Sequence, residues 1–171
     1  MTNRIRSGAL WVLVVTFLGI GAATTLRAQV ADLAGVVGIG GSGDEDENVH
    51  SAFVVGLSAG WPTGGRLRLE GDYLFSNISK RTYNRHFLTG GVVLQGRGRT
   101  RGFFRFGAGL TRKTWPDVLG LRNRSAGVVS VGGGLTAQTS GPWFMRLEGR
   151  AYLSAGENIT LVPLLSVGRT F

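Results

Sequence analysis

The chain has 171 residues, no cysteine, 29 glycines and 4 prolines, and its formal net charge is +9. The length fits one domain, the lack of cysteine excludes a disulfide framework, and an apolar content of 43% without a glycine period excludes disordered and collagen-like chains. The basic residues form no continuous tract, which argues against nucleic-acid binding.

The first predicted element is an export signal. Residues 1–6 include two arginines and no acid, residues 9–23 are uncharged and apolar, and small residues follow. This order is typical of a secretory signal cleaved after Ala28 or Ala23, and the apolar segment is shorter than the roughly 20 residues of a membrane-spanning helix. We predict a cleaved signal peptide at 1–28, Sec-type export and a mature domain at 29–171.

Eight strand-like segments follow the signal. In each of them apolar residues alternate with small or polar ones, and turn residues separate the segments, which predicts strands. Each is about ten residues long, the length that a tilted strand needs to cross a bilayer. The predicted strands are 30–40, 51–61, 66–75, 85–95, 102–110, 126–137, 142–153 and 159–171.

The predicted connections alternate in length. The first, third and fifth (GSGDEDENVH, SNISKRTYNR and TRKTWPDVLGLRNRS) are long and charged, and the seventh, SAGEN, is shorter. The second, fourth and sixth (PTGGR, GRGRTR and TSG) are short and mostly rich in glycine. Long loops at one end and tight turns at the other are typical of a bacterial outer-membrane barrel with both termini in the periplasm.

The small residues indicate which strand face points outward. The second and sixth strands have an apolar face opposed by a face of Gly, Ser, Ala, Thr and Val. A face open to water would be expected to carry Lys, Glu and Asp, whereas small residues suit the interior of a narrow barrel. We predict an all-β, eight-stranded, antiparallel up-and-down transmembrane barrel, and a soluble lipocalin-like barrel with the apolar face inward is the alternative.

The tetrapeptide RLEG occurs twice, at 68–71 and 146–149, in the third and seventh strands. These strands are opposite walls of an eight-strand ring. We therefore predict a polar network inside the barrel, where opposite charges satisfy one another and an unpaired charge would cost several kcal/mol. Its members are Arg68, Glu70, Arg105, Arg146, Glu148 and Arg150, and Asp32 is placed to join them.

Aromatic residues near the strand ends predict two membrane-interface girdles. Trp61, Trp143 and Phe171 fall near the short-turn end, and Tyr73 and Phe75 fall near the long-loop end. The alternative is that they are ordinary core aromatics.

With this pattern, residues 29–171 resemble the small eight-stranded outer-membrane barrels of the OmpX and OmpA-transmembrane type. The C-terminal sequence SVGRTF looks like the assembly signal of that family: Gly168 and Phe171 match, and Arg169 replaces the usual aromatic or apolar residue. The resemblance implies a monomer in the outer membrane of a Gram-negative-type bacterium. It also implies folding by the barrel-assembly machinery, contact with outer-membrane lipid and lipopolysaccharide, and no cofactor.

No catalytic or metal site is predicted. Lipid A deacylases of this shape use a His and a Ser two residues apart on one strand, whereas His50 directly precedes Ser51 and His86 precedes Phe87. The acidic segment DEDEN (44–48) begins like a calcium loop but lacks its later glycine and closing glutamate. We expect a non-enzymatic barrel that serves envelope integrity or adhesion; the alternatives are a lipid A-modifying enzyme and a soluble periplasmic binder.

Overall fold

The computed structural model describes residues 32–43, 49–78, 84–115, 123–154 and 159–171. The predicted signal peptide, the acidic segment 44–48 and most of the other long connections lie outside these ranges, as do the side chains at 42–43, 49–51 and 78. The predictions for His50 and for the acidic segment therefore fall outside the described part of the chain.

The described residues form one closed β-barrel in which every strand pairs antiparallel with its neighbours in sequence, and β1 also pairs with β8. This confirms the predicted fold class. No helix in the described ranges is long and apolar enough to cross a membrane. The strands are β1 Asp32–Gly43, β2 Val49–Gly64, β3 Leu67–Ile78, β4 Asn84–Gln95, β5 Thr100–Thr114, β6 Arg124–Gln138, β7 Trp143–Ser154 and β8 Thr160–Thr170.

Several strands extend further toward the long-loop end than the sequence pattern indicated. Strand β5 continues to Thr114 and β6 begins at Arg124, with Lys113 paired to Arg124. Backbone pairing continues here because it needs no apolar side chain, whereas the alternation used for prediction stops at the first run of polar residues. At the other end, the tight β2–β3 turn requires the positive φ of Gly64 and Gly65, 104° and 64°.

The pairing between β1 and β8 is interrupted near Pro163. The register passes from Gly38 opposite Leu164 to Gly41 opposite Leu161, leaving two residues of β1 without a partner on this side. Proline has no backbone N–H to donate to a neighbouring strand. The gap therefore falls where β8 lacks a hydrogen-bond donor.

The outer surface of the barrel is apolar on every strand. One residue from each strand illustrates this, with side chains 50 to 67% exposed: Ile39, Leu57, Leu67, Leu88, Phe106, Leu135, Leu147 and Leu161. A soluble monomer rarely exposes so continuous an apolar surface. We call this surface the apolar belt.

The interior is divided into two layers along the barrel axis. Toward the short-turn end it contains the buried charged residues of β1, β3, β5 and β7. Beyond them lies an apolar layer, packed as one cluster: Val36, Val54, Leu74, Phe87, Val128, Tyr152, Val162 and Leu164. Within this layer the rings of Phe87 and Tyr152 stack with their centroids 4.5 Å apart. Side chains thus fill both halves of the interior.

Candidate functional site

Glu70 is the centre of the charged layer and is only 2% exposed. Arg105 Nη1 donates a hydrogen bond to Glu70 Oε1 at 2.7 Å. Arg146 Nη1 donates to both carboxylate oxygens, at 2.7 and 2.8 Å, and Arg68 Nε lies 3.4 Å from Oε2. One carboxylate of β3 is thereby bonded to arginines of β5 and β7, two and four strands away.

Asp72 is a second centre, which was not among the predicted members of the network. Its carboxylate forms an ion pair with Arg105 through both oxygens. It also accepts a hydrogen bond from Thr89 Oγ1 at 3.1 Å and lies 3.3 Å from Arg150 Nη1. Alternation along a strand predicts whether a side chain points into the barrel or outward. It does not predict which side chain it meets across the lumen, because that depends on how far neighbouring strands are shifted along one another.

The remaining predicted residues pair at the edges of this layer. Arg68 forms an ion pair with Asp32, and Arg150 holds Glu148 with two hydrogen bonds, Nε to Oε1 at 2.6 Å and Nη2 to Oε2 at 2.8 Å. Arg150 Nη1 also donates to the hydroxyl of Tyr152 at 3.0 Å. All six predicted interior residues and Asp32 thus lie in one connected set of contacts.

Glycines on the even-numbered strands make room for these long side chains. A Cβ built on Gly60 of β2 would lie 2.6 Å from the guanidinium carbon of Arg68. A Cβ built on Gly132 of β6 would lie 2.7 Å from Glu148 Oε1. Both distances are shorter than van der Waals contact, so a Cβ at either position would have to displace the charged end of a side chain from its place in the layer.

The buried charges are nearly balanced. Among the described residues, four buried arginines and four buried carboxylates lie in the charged layer: Arg68, Arg105, Arg146 and Arg150, with Asp32, Glu70, Asp72 and Glu148. A fifth buried arginine, Arg85, lies toward the long-loop end of β4 and donates a hydrogen bond to Thr160 Oγ1 at 3.0 Å. Arg105, in the middle of the layer, is 0% exposed. A layer of mutually bonded charges with no solvent access to its centre blocks the lumen, so this arrangement opposes ion conduction.

At the long-loop end, two of the predicted interface aromatics surround His86. Tyr73 Oη and His86 Nδ1 are 2.8 Å apart. The rings of Phe75 and His86 pack edge to face, with their centroids 5.3 Å apart. Thr114 Oγ1 lies 3.4 Å from His86 Nε2. Tyr73 thus occupies the side of the imidazole where a catalytic triad places a carboxylate, and no group of metal ligands occurs among the described residues.

At the short-turn end, the exposed aromatics lie around Arg169. Its guanidinium carbon is 6.0 Å from the ring centroid of Trp143 and 5.5 Å from that of Phe171; the third predicted aromatic, Trp61, is also exposed. Arg169 thus lies on the outer surface over two aromatic rings, an arrangement favoured by cation–π attraction. Gly168 faces inward, where its Cβ would meet the ring of Phe144.

No protein-family model and no curated protein sequence matches the chain. Solved structures match it at 11 to 12% identity. Neisserial surface protein A has a TM-score of 0.72 over 82% of this chain and 97% of that one. The N-terminal barrel of Pseudomonas aeruginosa OprF has a TM-score of 0.61, also over 82% and 97%. Ail of Yersinia pestis has a TM-score of 0.58 over 84% and 99%. The chain therefore has the fold of the small eight-stranded outer-membrane barrels.

Proposed function

We propose that this protein is an integral outer-membrane barrel with a filled interior, and that its role is structural or surface interaction without catalysis. The observation that supports this most strongly is the distribution of side chains between the two faces of the sheet. Leucines such as Leu57 and Leu147 are more than half exposed, whereas Arg105 and Glu70 are buried. Contact with hydrocarbon favours leucines on the outer surface. The closed ring of strands satisfies the backbone hydrogen bonds within lipid.

A soluble binder of an apolar ligand fits the same side chains poorly. Such a barrel needs an apolar lumen with room for its ligand and a polar outer surface. Here the short-turn half of the lumen holds the charged layer, and the other half is occupied by packed side chains such as Phe87, Leu74 and Tyr152. In a soluble protein, the apolar belt on the outer surface would face water. We therefore favour the membrane barrel over the lipocalin-like alternative.

We propose the long-loop end as the surface that meets other molecules. Arg112 and Arg124 are exposed there, and arginine is suited to pairing with the phosphates of lipopolysaccharide or with other anionic glycans. Ail, which shares the fold, has been solved in complex with the heparin analogue sucrose octasulfate. Purified barrel and its Arg112→Gln/Arg124→Gln variant are compared for binding of lipopolysaccharide and of sucrose octasulfate. Weaker binding by the variant supports the assignment, and equal binding contradicts it.

The catalytic alternative is tested on the lipid that it would modify. Lipid A is isolated from cells with and without the protein and compared by mass spectrometry. The proposal predicts identical acylation, because Tyr73, and not a carboxylate, contacts Nδ1 of His86. An acyl chain gained or lost only when the protein is present would overturn the non-enzymatic assignment.

A further inference from the structure

Four arginines lie together at the short-turn end of the barrel, where β3, β4 and β5 begin or end. Arg66 directly precedes β3, Arg97 and Arg99 lie in the β4–β5 turn, and Arg101 is near the start of β5. Arg66, Arg97 and Arg99 are exposed, and Arg101 is partly buried at the mouth of the lumen. We call these four residues the arginine cluster.

Backbone hydrogen bonds hold this cluster to the end of the barrel. Gln95 N donates to Arg66 O at 2.8 Å, Gly96 N donates to Gly102 O at 2.8 Å, and Gln138 N donates to Arg99 O at 2.8 Å. The turn that carries Arg97 and Arg99 is therefore tied to β3, β5 and β6. Its arginines are presented as a localised patch on one sector of the rim.

Acidic side chains are scarce around this patch. The three short connections 65–66, 96–99 and 139–142 contain no Asp or Glu. Asp32, the acid at this end of the barrel, is buried and paired with Arg68. Within the described ranges, none of the four cluster arginines forms an ion pair. The buried charges largely satisfy one another, so the exposed arginines of the cluster leave net positive charge at the surface.

The cluster lies directly beyond the edge of the apolar belt. Leu67, which follows Arg66, is half exposed on the outer surface, and one strand residue spans roughly 3.3 Å along the strand. In a membrane, Arg66 and the adjoining β4–β5 turn would therefore lie at the depth of the lipid headgroups. On the opposite sector of the same rim, Arg169 lies over Trp143 and Phe171 at the outer surface.

From this placement, and given the proposed membrane location, we infer that the arginine cluster binds the phosphate groups of anionic phospholipids in the leaflet facing the periplasm. The guanidinium group donates two parallel hydrogen bonds to phosphate oxygens. A basic segment next to a membrane attracts anionic lipid in addition to any specific contact. The position of Arg66 next to the exposed Leu67 at the edge of the apolar belt favours a lipid over a soluble polyanion, which would need no apolar neighbour.

The test is a lipid competition measured by native mass spectrometry. The barrel is released from mixed micelles containing equal amounts of phosphatidylglycerol and phosphatidylcholine, and the bound lipids are counted. The variant is Arg97→Gln/Arg99→Gln, which changes two exposed turn residues. The matched control is Arg97→Lys/Arg99→Lys, which keeps the positive charge at the same two positions. The same samples are run unheated and heated in SDS to establish that each variant forms a closed barrel.

We expect the native chain to retain phosphatidylglycerol at least about twofold over phosphatidylcholine, the turn variant to lose most of this preference, and the control to keep it. Equal retention of the two lipids, or a preference unchanged in the turn variant, would overturn the inference. If equal retention is accompanied by binding of dextran sulfate that depends on Arg97 and Arg99, the partner is a soluble polyanion and the lipid assignment is wrong. A native chain without a heat-sensitive band would instead contradict the proposed membrane barrel.

Discussion

Arg146 of one RLEG sequence donates two hydrogen bonds to Glu70 of the other, across the lumen from β7 to β3. The reciprocal pair does not form: Arg68 pairs with Asp32, and Glu148 pairs with Arg150. The two copies of the tetrapeptide therefore have different roles despite their identical sequence. Glu70 joins strands across the barrel, whereas Glu148 is bonded within its own strand.

The central position of Glu70 predicts a large loss of stability when it is removed. Glu70→Ala leaves Arg105 and Arg146 buried without this shared partner, and breaking a buried ion pair costs about 3–5 kcal/mol. The free energy of unfolding of the refolded barrel is measured by urea titration in lipid vesicles. Ser140→Ala, at an exposed turn, is the control and should change the value by less than about 0.5 kcal/mol. Similar midpoints for the native chain and Glu70→Ala would mean that the network does not stabilise the barrel.

The asymmetry between the two RLEG copies is tested by double-mutant cycles. Replacing Glu70 and Arg146 by Ala, singly and together, should give a coupling energy of about 0.5–3 kcal/mol, because the two side chains are in contact. The same cycle for Arg68 and Glu148 should give a clearly smaller coupling energy, because these two side chains do not contact each other and are linked only through other members of the network. Equal coupling in both cycles would contradict the pairing described above.

The glycines that face the charged layer should not tolerate a methyl group. Gly60→Ala places a carbon against the guanidinium of Arg68 and displaces it from Asp32, at a cost of about 1–3 kcal/mol. Gly149→Ala is the matched control, since its Cβ would meet no atom within 4 Å. Thermal or urea unfolding compares the two variants. Equal stability of both would show that the interior has more free space than the packing indicates.

The orientation of the sheet predicts a depth-dependent cost for charge on the outer surface. Leu57→Arg, near the middle of β2, should lower the stability of the barrel in a bilayer by about 2–4 kcal/mol, whereas an arginine near the membrane interface costs only about 0–1 kcal/mol. Leu67→Arg, at the short-turn end of β3, supplies that second case. A neutral or stabilising effect of Leu57→Arg would mean that this surface faces water.

Much of the fold was predictable because strand alternation is a local property of the sequence. The faces of β2 and β6 followed from alternate residues such as Leu57 and Ser58, and the closed ring followed from eight segments with connections of alternating length. The ends of β5 and β6 were not predictable, because pairing such as that of Lys113 with Arg124 continues without an apolar pattern.

The sequence predicted which residues belong to the interior network better than it predicted which of them pair with each other. Parity placed Arg68, Glu70, Arg146 and Glu148 on one face, but the assignment of Glu70 to Arg146 depends on how far neighbouring strands are staggered around the ring. Asp72 was missed as a centre for the same reason. His86 of β4 contacts Tyr73 of β3. This contact could not be predicted, because it depends on the register between the two strands.

This chain forms a closed barrel, and we propose that its apolar surface lies in the outer membrane. Electrophoresis in SDS of isolated outer-membrane and soluble periplasmic fractions, with and without boiling, tests it most directly. We expect a band in the outer-membrane fraction whose mobility changes on heating, because the closed barrel resists SDS until it is heated. A band in the soluble periplasm whose mobility does not change on heating would contradict the account and place the apolar residues inside.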